Sequence, residues 1–406
     1  MNKNMILSVI ACSVLFFAVT LTAAADLDGF PVSGEVQEQM FGGRGMQRGG
    51  GSGVQVLADE PGEIVKSSAV NTAAALQADL ENAVSVIMSD AENEVKIDAS
   101  GTYVISGSAS DGNITVKKGT KGVVLVLKDL DLTSTTGAPL SINKETEVKV
   151  VISGTVTLTD AENPSDENSS NAESADAYDG AALKVKADSM VYLTGDGTLN
   201  LIGQAKNGIK GGDNASLILA GPALRIAAVN DGINVNYDLT ILSGSIAVSA
   251  GDDAIHADHI LTIGSEDHSG PVINITQCGE ALEATVVNIF GGDITMTASD
   301  DAVNAADKDE LYKGQLTPSI NMTGGSVTIS GQGDGFDSNG NINLIGGSAA
   351  VNTQFRGGEA GVDYDGAYYI SDDFQMTNSG GVSGPDNMGN MGGGFGQGGR
   401  GGWGRP

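Results

Sequence analysis

The sequence predicts an all-β chain, a single-stranded parallel β-helix with about 22 residues per rung. Three observations carry that prediction. From about Glu92 to Asn378 one residue frame recurs again and again. The apolar residues alternate with period two and are mostly Val, Ile, Leu and Ala among abundant Thr and Ser, which suit strands better than helices. The 59 glycines and 9 prolines mark many tight turns, and no helical stretch is long enough for a βαβ crossover.

Taken in order, the chain of 406 residues opens on "MNKNMILSVIACSVLFFAVTLTAAAD". Lys3, an apolar run from Met5 to Leu21 and a small-residue end at Ala23 to Ala25 predict a secretory signal over 1–25, cut before Asp26. The competing reading is a membrane anchor, for which the run is just short of a comfortable span. Residues 26–70 include the Gly-rich "MFGGRGMQRGGGSG" and predict a flexible segment. An Ala/Leu-rich stretch from Asn71 suits a helical turn or two, and "AVSVIM" at its end reads as strand. The β-helix domain is assigned to 71–380, and a disordered Gly/Met/Arg-rich tail to 381–406.

Within the body, "DGINVNYDLTILSGSIAV" from Asp231 aligns without gaps on "DDAIHADHILTIGS" from Asp253. Ile233, Val235, Leu239 and Ile241 then fall on Ile255, Ala257, Leu261 and Ile263. Further copies begin at Asn207, Glu280, Asp301 and Asp334, with starts 24, 22, 27, 21 and 33 residues apart, so loops are inserted at fixed places in a basic unit. A unit this short cannot bury its apolar row alone and must stack on its neighbours. A β-sandwich, the structural alternative, would not repeat one frame in this way.

Stacking sets Asn207, Asp231, Asp253, Glu280, Asp301 and Asp334 in one corner column, and the residue before makes Asp252–Asp253 and Asp300–Asp301 into doublets. Beside it runs an outward row of Lys210, Asn234, His256, Glu283, Asn304 and Asp337. Rungs lie about 4.7–4.9 Å apart, and two full charges at that spacing repel by roughly 3–4 kcal/mol at an effective dielectric near 20. Raised carboxyl pKa values, splaying into solvent or a bound cation would each relieve the repulsion. Calcium suits the third outcome, because it takes six to eight oxygens from carboxylates, amides, carbonyls and water. The candidate metal ligands are Asp231, Asp252, Asp253, Glu280, Asp300, Asp301, Asp334 and Asp337. Against this stands the reading that Asp and Asn are simply turn residues at a corner. Zinc on His256 and His259 is disfavoured, since residues three apart on a strand face opposite ways.

These residues carry a resemblance. With "GTYVISGSASDGNITV" at Gly101, "LVLKDLDLTSTTGAPLSI" at Leu125, the "GG-x-[Ile/Val]" strands and "GVDYDGAYYIS" at Gly361, the sequence resembles a family of secreted carbohydrate-binding β-helix proteins similar in architecture to pectate lyases. The resemblance implies a right-handed, calcium-containing parallel β-helix that binds plant-cell-wall or acidic polysaccharide and has no assigned catalytic activity. Asn207 and Glu280 depart from the Asp expected at the corner.

The net charge of -30 argues against nucleic acid and anionic membranes as partners. It is compatible with a polyanion if a divalent cation stands between. The expectation is a secreted monomer that takes an acidic, uronic-acid glycan through calcium, with His256, Glu283, Asn304, Asp337 and Arg356 touching the ligand. Cellulose is possible but chemically weaker, because aromatics are only 4% of the chain and scattered. One alternative is a calcium-dependent lyase, for which Arg225 and Arg356 are the pectate-lyase-like arginine bases. The other is a surface solenoid merely stiffened by calcium. Cys278 is the one thiol left after signal cleavage, so no intrachain disulfide is expected.

Overall fold

The computed structural model describes residues 57–164, 180–353 and 359–385. The signal stretch, most of both Gly-rich flanks and Arg356 lie outside the described residues. The strands wind into a β-solenoid of about ten turns. Apart from a single antiparallel bridge between Ser89 and Glu92, the pairings are parallel and link one turn to the next.

Each turn contributes to three sheets. The first holds the short strands that run from Glu94–Ile97 through Ile233–Val235 and Val303–Ala305 to Val382–Ser383. A strand such as Leu239–Ala250 serves the other two, with 239–241 in the second sheet and 245–250 in the third. Between those halves the chain turns at Gly244, whose φ of 114° is open to glycine and strained for other residues. A Cβ there would lie 2.6 Å from the Pro222 carbonyl oxygen of the turn before. The recurring Gly-Gly and Ser-Gly steps are thus the corner between the second and third sheets.

The register is the one the repeat predicts. Ile209, Ile233, Ile255, Leu282, Val303, Phe336 and Val362 stack in one line along the first sheet. All of them have no measurable solvent exposure. Each such side chain stabilises the fold by about 1.5–3 kcal/mol relative to exposure, so the interior line is the main cohesive element. The extra residues do not enter at one fixed place. Residues 264–271 lengthen the corner between the second and third sheets, and 306–318 the corner between the first and second. Both insertions carry mostly exposed or half-buried residues, as surface loops do.

Ahead of the first turn, Thr72–Ala75 forms a single 3-10 turn and Val84–Met88 a strand. Residues 57–70, the described part of the segment 26–70, lead into 71–80 of the assigned β-helix domain. Together they run along the second sheet, from its last turns back to its first, interrupted by the 3-10 turn. The Ala58 amide donates to the Tyr368 carbonyl at 2.8 Å, Asn71 Nδ2 to the Val191 carbonyl at 3.0 Å, and the Asp79 amide to Thr102 Oγ1 at 2.8 Å. Two of these three contacts use backbone amides of the segment, which leave no period in its side-chain pattern.

Candidate functional site

The corner column is built by hydrogen bonds as well as by register. The Asn207 Oδ1 accepts the Asp231 amide at 3.2 Å, Asp231 Oδ1 accepts the Asp253 amide at 3.2 Å, and Asp301 Oδ1 accepts the Asp334 amide at 2.7 Å. Asp334 in turn accepts the amide of Ala360. A short side chain ending in oxygen is what this position needs, and Asn and Asp meet that need equally. Glu280 is one methylene longer and reaches sideways instead, accepting from Asn304 Nδ2 at 2.9 Å.

The outward row stacks as Lys210, Asn234, His256, Glu283, Asn304, Asp337 and Asp363. Although outward, Lys210, Glu283 and Asn304 are buried against their neighbours. His256 sits among three carboxylates. Its Nδ1 lies 3.1 Å from Asp253 Oδ2 and 2.8 Å from Glu283 Oε2, while Nε2 lies 2.7 Å from Asp258 Oδ1. Burial opposes the imidazolium, but those three hydrogen bonds hold its pKa well above the usual range. Lys308 reaches in from the 306–318 insertion and pairs with Glu283 and, at 3.4 Å, Glu280. Burial opposes ionisation of Glu283, but His256 and Lys308 pull its pKa far below the ordinary value; Glu280, less favoured, is pushed up by burial and by Glu283 to about 8. Around these groups opens a cavity of about 220 Å³ lined by His256, Asp258, Glu283, Lys308 and Asp309.

One turn beyond Asn304 the chemistry changes. Carboxylate oxygens of Asp301, Asp334 and Glu359 all lie within 4.8 Å of one another, as do those of Asp334, Asp337 and Asp363. Asp334 belongs to both groups. Burial first, and then neighbouring carboxylates, push Asp301 and Asp337 up to about 7 and Asp334 up to about 8. Among the described residues, no Lys, Arg or His forms an ion pair with Asp301, Asp334 or Asp337. The donors here are all oxygen, the set a hard divalent cation such as calcium prefers. Asn304 Oδ1 adds to the fit: it is buried without a hydrogen-bond partner, while the Nδ2 arm of the same amide points at Glu280 and Glu283. The His256 group fits a hard cation poorly, because His256 and Lys308 already supply its positive charge.

The sequence-derived candidates divide accordingly. Asp301, Asp334 and Asp337 converge on one oxygen-rich place, and Asp253 and Glu283 converge on His256. Glu280 joins the second group through Asn304 and Lys308. Asp231 accepts from Asn234 Nδ2 at 2.6 Å. Asp252 and Asp300 stand outside all three convergent groups, so each doublet brings one carboxylate to a cluster and not two. His256 and His259 have separate partners; His259 Nδ1 lies 2.6 Å from Asp238 Oδ1. Sequence reasoning passed over Lys308, Asp258, Glu359 and Asp363 as site residues. Glu359 and Asp363 were within reach, since the frame continues at Ala360 to Val362. Lys308 lies in an insertion and carries no repeat signal. Nor are the aromatics all scattered: Tyr237 stacks on His259 at 4.9 Å, and Tyr312 tilts against both, pinning the insertion that carries Lys308.

A family model described as carbohydrate-binding domain-containing protein matches residues 91–363. A curated relative of the same description, from Acetivibrio thermocellus, is 32% identical over 166 residues, which cover 40% of this chain. The match spans about half of that relative's length, 47%. A solved structure of a polysaccharide lyase-like protein from C. thermocellum, a gadolinium derivative, is similar at 22% identity and a TM-score of 0.39, covering 74% of this chain and 99% of that one.

Proposed function

Because this chain belongs to the family of carbohydrate-binding domain-containing proteins, we propose that it is an exported, non-catalytic monomer that binds acidic polysaccharide through calcium held on the first sheet. The observation that carries this reading is the convergence of Asp301, Asp334, Asp337, Glu359 and Asp363 on one place, in two oxygen-only groups that share Asp334. Calcium bound there would supply the positive charge that buried carboxylates lack. Its remaining coordination positions would accept a uronate carboxylate, which is how a protein of net charge -30 can hold a polyanion. Asn304 offers an amide oxygen at the edge of the group, and Asp337 lies on the outward row where the sugar would approach.

The lyase alternative needs a neutral base beside the metal, to take the proton next to the uronate carboxyl. Burial works against the charge on Lys308, but Glu283 and Glu280 outweigh it and hold the ammonium protonated. His256 is likewise held as imidazolium. Both are stabilised in the form that cannot abstract a proton, which favours binding without cleavage.

The test uses polygalacturonate and the full chain, with calcium or with chelator, for the natural protein and for Asp334→Asn. The amide keeps an oxygen for the Ala360 amide and removes the charge. Retention of the polymer should require calcium and should be lost in Asp334→Asn. Calcium-independent retention, or retention by Asp334→Asn equal to that of the natural protein, overturns the reading. Growth of unsaturated-uronate absorbance would replace it with the lyase.

A further inference from the structure

The second sheet carries a feature that the acidic corner does not use. On its outer face Thr240, Thr262, Asn288, Asn321, Asn343 and Tyr369 stack in register, a row with no charged residue. Its three asparagines form a head-to-tail amide chain. Asn343 Nδ2 donates to Asn321 Oδ1 at 2.7 Å, and Asn321 Nδ2 donates to Asn288 Oδ1 at 2.9 Å. The two open ends of that chain are closed by the N-terminal segment: the Gly62 amide donates to Asn343 Oδ1 at 2.8 Å, and Asn288 Nδ2 donates to the Val65 carbonyl at 2.9 Å. Asn288, Asn321 and Asn343 are between 0% and 1% exposed with the segment in place.

The segment itself is held lightly. None of residues 57–70 is buried, and none pairs as a strand. Its other anchors are the Ala58 amide on the Tyr368 carbonyl, the Ser67 hydroxyl on Asp238 and the Lys66 ammonium on Glu266, with Lys66 also 5.5 Å from the centre of the Phe290 ring. A well-buried amide row covered by a poorly buried strip is the arrangement of a removable cover.

We propose that residues 57–70 are a displaceable strap over an uncharged amide groove, and that a neutral polysaccharide chain takes the groove when the strap lifts. Departure of the strap leaves one amide oxygen and one amide N–H without partners. A sugar hydroxyl both donates and accepts, so consecutive pyranoses along the groove can satisfy both ends and the Thr240 and Thr262 hydroxyls beyond. Turns about 4.7–4.9 Å apart present these groups at nearly the repeat of a pyranose chain. This site is separate from the calcium reading, uses different residues and needs no metal.

The test loosens the strap away from the amide row, with the double variant Lys66→Ala, Ser67→Ala in the full chain, and measures binding to hydroxyethylcellulose in chelator. Losing two anchors should raise affinity by about tenfold over the natural protein, the worth of roughly one hydrogen bond to a charged group. Adding Asn321→Thr to the loosened protein should abolish the gain, and excess hydroxyethylcellulose should speed tryptic cleavage after Lys66 in the natural protein. Equal affinity of loosened and natural proteins, absence of binding by both, or a gain that survives Asn321→Thr overturns the proposal. A cooperative thermal unfolding transition in each variant reports folding, and polygalacturonate retention with calcium, run on the same samples, separates failure here from failure of the acidic-glycan reading.

Discussion

The turns that carry His256 and the turns that carry Asp334 are built on the same frame, yet they resolve the same electrostatic problem in opposite ways. In the first, two cations of the chain itself sit among the carboxylates: His256 touches Asp253, Asp258 and Glu283, and Lys308 touches Glu280 and Glu283. In the second, no Lys, Arg or His among the described residues pairs with Asp301, Asp334 or Asp337; they meet backbone amides and one another, and burial with that repulsion raises their pKa values to between about 7 and about 8. The difference teaches that a register of acids does not by itself mark an ion site. What separates a structural cluster from a candidate ion site is whether the chain has brought its own positive charge.

The largest effect is expected from removing that charge. His256→Ala leaves Asp253 without its cation and Glu283 with Lys308 alone, and truncating one member of a buried ion pair costs about 3–5 kcal/mol. Urea unfolding at neutral pH should show a loss of that order, and a loss below about 1 kcal/mol would mean the first cluster is not held by its imidazolium.

Next is the response to pH, in which Glu283 of the first region runs opposite to the acids of the second, while Asp253 and Glu280, raised by burial to about 7 and about 8, run with them. Asp301, Asp334 and Asp337 bind protons more tightly folded than unfolded, so their contribution is fully present below the unfolded carboxylate pKa, near 4, and is lost as pH rises toward about 7 to 8. The slope is about 1.4 kcal/mol per pH unit for each proton retained. Glu283 behaves the other way: its contribution is present above its unfolded pKa and lost in acid. Thermal unfolding in chelator should therefore fall between pH 4 and 8. Calcium should restore stability at the upper end of that window, and Asp334→Asn should flatten both responses.

A smaller effect is expected at Lys308, whose side chain is 55% exposed. Lys308→Met should cost about 1–2 kcal/mol, the range of a half-exposed pair in which one partner is buried. It should also convert the first cluster toward the second, so that calcium now stabilises the variant more than it stabilises the natural protein. Calorimetry with and without calcium decides this, and an unchanged calcium response would break the contrast between the regions.

Much of this was legible in the sequence. The alignment of Asp231 on Asp253 gives the residue pairs Ile233 with Ile255 and Leu239 with Leu261 that the sheets adopt. The corner column and the outward row follow from the same frame. What stayed hidden has two physical causes. Lys308 and Tyr312 sit in an insertion, where periodicity says nothing about which turn the chain folds back on. Residues 57–70 reach the amide row through a backbone amide and a backbone carbonyl, Gly62 and Val65, which leave no signature in side-chain order. Composition reads such a strip as flexible.

The smallest expected effect bears on the doublets. Doubled aspartates look like a chelating pair in the sequence, but Asp252 and Asp300 fall outside the convergent groups while Asp301 and Asp334 fall inside them. Burial, with Asp231 and Glu283, raises the Asp252 pKa, so a neutral amide there relieves a little repulsion and removes no shared ligand. Asp252→Asn and Asp300→Asn should each leave the calcium-dependent gain in unfolding free energy within about 0.5 kcal/mol of the natural protein, the usual range for a site without a special contact. If either matches the loss seen in Asp334→Asn, adjacency along the chain rather than convergence across turns holds the ion, and the distinction between the two regions loses its basis.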